Sequence, residues 1–237
     1  GIATAPDGSV YFSDWVDKSY NVHGRGRIWR LARRDAPKRP ALASLGAGRP
    51  AYSAVEKRLS HPDRRIRERA VRDLAGREGA ETLCRRAVAK SRDDRARYHA
   101  LVFLARKGLL GTALLRELAA SGASGRLLEG AVRLLGQSSA AARKTGLPAL
   151  LSEGVLQQHP RAQMEAILAL DELADLEGPL LRLAAGTGDP FLKSACIQAL
   201  ARLGSLERFT ALASSSDAAI RLTALLVLRR MGRTGRA

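Results

Sequence analysis

Residues 63–74 (Asp-Arg-Arg-Ile-Arg-Glu-Arg-Ala-Val-Arg-Asp-Leu) set a pattern that recurs along the chain: Asp-x-x-apolar-basic-x-x-small-apolar-x-x-Leu. It returns at 93–104 with Ala96, Arg97, Ala100 and Leu101, and at 189–200 with Leu192, Lys193, Cys196 and Ile197. A further copy at 217–228 has Ile220, Arg221, Ala224 and Leu225. Weaker copies at 124–135 and 159–170 keep the apolar register but lose the basic residue. The small position therefore falls at Ala70, Ala100, Ala131, Ala166, Cys196 and Ala224, in steps of 30, 31, 35, 30 and 28 residues. A near-constant period in this range marks stacked helical repeats, none of which can bury its apolar face alone.

The spacing has a physical reading. The apolar and small positions of the pattern lie on one face of a helix, so each copy buries a stripe such as Ile66, Ala70, Val71 and Leu74. The small residue lets a neighbouring helix approach closely. The leading Asp suits an N-cap, and Pro160 and Pro190 stand where a first turn has no N–H to lose. Second amphipathic stretches lie between the copies, at 81–90, 109–120, 140–151, 178–185 and 206–213. Each repeat is thus two antiparallel helices. Pro148 should kink or split its helix, and Gly108, Gly204 and Gly232 sit at natural C-cap positions. The run Asp217-Ala-Ala-Ile220-Arg221-x-x-Ala224 resembles the Asp-Pro-x-Val-Arg-x-x-Ala signature of HEAT repeats. The expected fold is mainly α: a HEAT-like α-solenoid of about six two-helix repeats over 51–237. Such arrays serve as scaffolds in unrelated systems.

Residues 1–34 do not share the repeat. They read as strand, Pro6-Asp7-Gly8 turn, strand 9–14, polar loop 15–25 and strand 26–31, which is most of a propeller blade. Residues 35–50, rich in Pro and Gly, read as a linker. The runs from Pro6 to Trp15 and from Tyr20 to Arg30 resemble the closing blade of the large membrane-bound dehydrogenases of planctomycete-type bacteria. In that family a propeller of the sorbosone and glucose dehydrogenase type precedes HEAT repeats and then a cytochrome c module. The resemblance implies a fragment spanning the propeller–HEAT junction of a sugar-type oxidoreductase, with periplasmic or exported localisation. Haem c, and any quinone or metal cofactor, would belong to other parts of that parent; none is expected in this chain. The apolar run from Leu222 to Leu228, followed by a short basic tail, and the opening on Gly1 read as internal positions of a longer protein.

Asp14, Asp17, Asn21 and His23 crowd one blade loop, where propellers build metal and active sites from carboxylate and imidazole. The plainer alternative is a turn capped by Asp14, with Asn21 and His23 satisfying loop backbone. Trp15 and Trp29 read as blade packing. The basic residue of the pattern (Arg67, Arg97, Lys193, Arg221) lies four residues after Asp63, Asp93, Asp189 and Asp217, which suits an i,i+4 ion pair or a ladder between repeats. Cys84 and Cys196, far apart in the array, read as free buried thiols.

Charge is strong and uneven. The chain carries +17, with 25 basic and 12 acidic side chains in residues 1–107 against 15 and 11 in the rest. Arg65, Arg69 and Arg72 are expected to form a solvent-facing cationic ridge, extended by Arg85, Arg86 and Lys90. Such a ridge implies weak, nonspecific polyanion binding. It can equally be a solvated face of an Arg-rich chain. No membrane-length apolar run is present, nor a phosphate-binding loop, a nucleophile elbow or a His-Glu-x-x-His motif. Two functions remain: a noncatalytic scaffold that binds a protein partner or neighbouring domains of its own chain, or a basic nucleic-acid module of the DNA glycosylase-like type. Glycosylase-like modules need aromatic and acidic side chains lining a groove. Here Tyr52, Tyr98, Phe103, Phe191 and Phe209 are scattered.

Overall fold

A computed structural model describes residues 1–5, 9–14, 26–35 and 51–233, and divides into two compact units, Gly1–Arg49 and Pro50–Ala237.

In the first unit, strands β1 (Ile2–Thr4), β2 (Val10–Asp14) and β3 (Arg27–Leu31) form an antiparallel sheet in that order. Ile2 stands opposite Phe12, and Phe12 opposite Trp29. Because side chains alternate along a strand, this register gathers Ile2, Phe12, Trp29, Val10 and Leu31 on one face. The alternation in 26–31 is therefore real, but Ile2, Phe12, Trp29 and Leu31 remain exposed on it.

The second unit is an α-solenoid. Its described residues contain twelve α-helices: α1 (Tyr52–Leu59), α2 (Arg64–Leu74), α3 (Ala80–Lys90), α4 (Asp94–Arg106), α5 (Thr112–Ala120), α6 (Gly125–Gly136), α7 (Ala140–Ser152), α8 (Pro160–Leu168), α9 (Glu177–Gly186), α10 (Pro190–Leu203), α11 (Leu206–Leu212) and α12 (Ala218–Arg233). Every even-numbered helix is a copy of the pattern, and each packs on the odd-numbered helix before it. These template helices also touch one another in unbroken series, α2 to α4 and on to α12, whereas contact among the others is patchier. All six small positions are fully buried, at 0% exposure, so no larger side chain fits between the helices without displacement.

The first turns show why the pattern begins as it does. Asp63 and Asp93 each accept a hydrogen bond from the backbone N–H two residues on. Asp189 and Asp217 accept from the N–H groups two and three residues on. In the weaker copies Ser124 caps α6 through the Leu127 N–H, while α8 relies on Pro160 at its first position.

Capping alters the role of the basic residue. Arg67 and Arg221 turn their hydrogen bonds to carbonyls rather than to Asp63 and Asp217, although Arg67 still feels the charges of Asp63 and of Asp93 in the next repeat. Arg67 donates to the carbonyls of His61 and Pro62, at 2.5 and 2.8 Å, and Arg221 to Ser215 O at 2.6 Å. Arg97 donates to Val88 O at 2.9 Å and Ser121 Oγ at 2.6 Å. The Asp is engaged by its own helix start, so the guanidinium turns to loop and helix-end carbonyls that otherwise lack a donor. A ladder between repeats exists but uses other residues. Arg86–Glu56, Arg133–Glu165, Arg143–Asp171, Lys144–Glu172 and Arg208–Glu177 join positions about one period apart at 2.6–3.2 Å.

Three further expectations are corrected. Pro148 does not split α7, which runs through it; Leu147 and Leu150, both fully buried, hold the helix while one backbone bond is lost. Gly108 does close α4 in a left-handed turn, φ +70°, with Leu109 N–H bonded to Leu104 O at 2.8 Å. Gly204 is the C-cap of α10 as expected, though with an ordinary φ, and it also leaves space: a Cβ would lie 2.5 Å from the Phe209 ring. Gly232 lies inside α12. Finally, Leu225 is not part of a buried stripe. The equivalent Val71, Leu101, Val132 and Ile167 are buried, but Leu225 and Leu222 are 50% and 55% exposed.

Candidate functional site

The template row carries an open groove of about 880 Å³ across α2, α4 and α6. Its floor is apolar, built from Val71, Val102, Ala105, Leu127 and Leu134. Its rim is cationic: Arg64, Arg95, Arg106 and Arg126, with Arg67 deeper. Two carboxylates, Glu68 and Asp94, also line it, and both are engaged. Glu68 pairs with Arg64 at 2.7 Å. Asp94 accepts from Ser124 Oγ and lies 3.8 Å from Arg97. Arg106 and Arg126 are exposed and have no carboxylate partner among the described residues.

Two rings stand in the groove. His99 shares a hydrogen bond with Arg95 O at 2.8 Å through Nδ1, which makes Nδ1 the protonated nitrogen of the neutral ring. Burial holds His99 below its ordinary value, and the nearby Arg67 and Arg64 push the same way. Tyr98 meets the His99 ring edge-on at 5.5 Å and lies against Gly130 of α6, where a Cβ would come within 2.7 Å of it. The Arg67 Nε is buried without a hydrogen-bond partner, and desolvation lowers the affinity of this guanidinium for its proton. The arrangement suits binding of anionic groups over an apolar floor.

The expected ridge is largely neutralised. Arg65 pairs with Asp63 at 2.7 Å and Arg69 with Asp73 at 2.9 Å. Arg85 pairs with Glu81 at 2.8 Å and Arg86 with Glu56 at 3.2 Å. Arg72 and Lys90 are exposed. Of the loop candidates, Asp14 accepts a hydrogen bond from Trp29 Nε1 at 3.2 Å, a structural task; Asp17, Asn21 and His23 lie outside the described residues. Cys84 and Cys196 are free and buried, and desolvation pushes both thiols up to about 12, far from the reactive thiolate range. Among the described residues no group of His, Cys, Asp and Glu converges as a metal site, and no helix is long and apolar enough to cross a membrane.

Sequence reasoning missed the groove. A signal for it exists once the copies are aligned: the third position of the pattern is Arg65, Arg95, Arg126 and Arg161 in four successive repeats. Only the packing shows that Arg95 and Arg126 reach a common cleft while Arg65 folds back on its cap.

No protein-family model matches the chain, and no curated protein matches it. Among solved structures, an engineered protein is similar at 17% identity over 76% of this chain and 98% of its own, with a TM-score of 0.34. A designed armadillo repeat protein is similar at 15% identity over 75% and 98%, with a TM-score of 0.33. Likenesses at this level carry no argument about function. The chain's own six helix pairs, joined through fully buried small residues, make its second unit an α-solenoid of two-helix repeats.

Proposed function

We propose that this chain is a noncatalytic protein-interaction scaffold, and that it is a segment of a larger propeller–HEAT protein of the membrane-bound dehydrogenase type. The observation that supports the scaffold reading most is the open groove across three consecutive template helices. The residues around it are fixed by caps, ion pairs and buried small positions, so the surface is preorganised for a partner. The parent assignment rests on the resemblance of residues 6–30 to a closing blade and on their order before the repeats. Oxidoreductase chemistry, with haem c and any further cofactor, would then belong to the rest of the parent.

The competing nucleic-acid reading is weakened by the lack of a stacking platform: the Tyr, Trp or Phe ring lining the groove, Tyr98, lies against His99 and Gly130. A salt titration with duplex, single-stranded and alkylated DNA separates the two. A scaffold of this charge should bind all three weakly and lose them between about 50 and 200 mM salt. Submicromolar binding that persists at about 200 mM salt and prefers one substrate would overturn the scaffold reading.

A further inference from the structure

We infer that the groove across α2, α4 and α6 takes an extended acidic peptide segment whose carboxylates recur at every third residue. The inference rests on the scaffold reading and names the partner chemistry of that surface. Three features carry it: the charge of the rim, its spacing and the floor.

Arg64, Arg95 and Arg126 stand in the first turns of three successive helices; Arg106 lines the groove from the other end of α4, about 16 Å along the helix from Arg95. Arg64 and Arg95 have 79% and 56% exposed side chains, and their present partners are local carboxylates at 2.7 and 3.6 Å. Exposed pairs of this kind are weak and exchange readily for an incoming carboxylate. Arg106 and Arg126 have no carboxylate partner among the described residues to give up.

Arg95 and Arg126 hold the same pattern position on neighbouring helices, and packed helices lie about 8–10 Å apart, so these two repeat at about that step, with Arg64 one residue earlier in its own copy. A chain in the polyproline II conformation has three residues per turn and rises about 3.1 Å per residue, so every third side chain lies on one face about 9 Å from the last. Acidic residues at that interval meet successive arginines in register, each able to accept two parallel hydrogen bonds. The intervening residues, if apolar, fall toward Val71, Val102, Leu127 and Leu134. A cleft of about 880 Å³ suits a short segment rather than a folded domain.

The same features count against a nucleic acid. Single-strand binding sites use aromatic faces on which bases stack. Of the two rings in this groove, His99 is buried and Tyr98 already lies against His99 and Gly130.

The test uses the full chain and a fluorescent peptide of four Glu-Pro-Leu repeats. Controls are the same peptide with Gln for Glu, a peptide of equal composition with its Glu residues grouped together, and duplex DNA. The periodic peptide should bind, and the Gln peptide should not. Arg126→Glu and Arg95→Glu should each weaken binding by about ten- to a hundredfold, the loss of a charge-assisted contact, with unchanged thermal melts. Arg126→Lys should retain most of it. Equal binding of the grouped peptide, or native affinity in both Glu variants, would overturn the inference. So would failure of the periodic peptide to bind. If DNA then also binds only weakly and in low salt, the scaffold reading survives without this partner; salt-resistant DNA binding would remove both.

Discussion

Arg97 is the arginine whose replacement should cost most, and its surroundings give the size of the effect. The side chain is 9% exposed and donates to Val88 O and Ser121 Oγ, tying the end of α3 and the end of α5 to α4. Arg97→Met keeps an unbranched side chain of similar reach but strands the Val88 carbonyl, one of the four acceptors a helix end leaves unpaired. Ser121 keeps its bond to Leu118 O at 2.8 Å. A hydrogen bond to a charged group contributes about 1.5–3 kcal/mol, and leaving a buried acceptor unmet costs about 1–3 kcal/mol. One bond lost with an orphan and one partly compensated gives roughly 2–4 kcal/mol. For a domain of this size that lowers Tm by about 4–16 °C. Arg86→Met is the control, since its pair with Glu56 is exposed at 54% and 46% and such pairs are worth about 0–1 kcal/mol. Thermal melts followed by far-UV circular dichroism measure both. If Arg97→Met shifts Tm no more than Arg86→Met, the buried guanidinium is not holding the repeats together as argued.

Ala100→Leu should overpack a fully buried helix contact and cost roughly 1–3 kcal/mol, read from a denaturant melt; an unchanged midpoint would refute the register of the repeats. Gly204→Ala should also destabilise, because its Cβ would meet the Phe209 ring at 2.5 Å and Leu200 O at 2.7 Å, and chemical denaturation should place it well below the native chain. His99 gives a pH dependence. Its folded value lies below its ordinary 6.5, so the unfolded chain binds the proton first as pH falls. Its contribution is complete above about pH 6.5 and is lost as pH drops through the folded value. His99→Gln should flatten that part of the stability–pH curve between about pH 7 and 5, measured by denaturant unfolding at each pH.

The repeat architecture was legible because its determinants are local and periodic. An Asp or Ser before a helix, an apolar stripe at helical spacing and an Ala or Cys at each crossing repeat with the fold itself. Each could be read from one copy and checked against five others. The strands of residues 1–34 were legible for the same reason, through their alternation. The functions of individual charges were not. The pattern places Arg67 four residues after Asp63, and spacing alone favours an ion pair. Only the structure shows that the cap has already taken the carboxylate and that a carbonyl-rich turn waits behind the guanidinium. The ridge failed similarly: Arg86 finds Glu56 30 residues back, in the preceding repeat. Leu225 has the same pattern position as Leu101, yet it is half exposed where Leu101 is fully buried, a difference the shared spacing does not contain. The sequence by itself determined that helices would form, pair and stack with a period near 30 residues, because those choices depend on short-range spacing. The tertiary structure decided which charges are spent on one another and which remain for a ligand, because that depends on distances between repeats that no single copy contains.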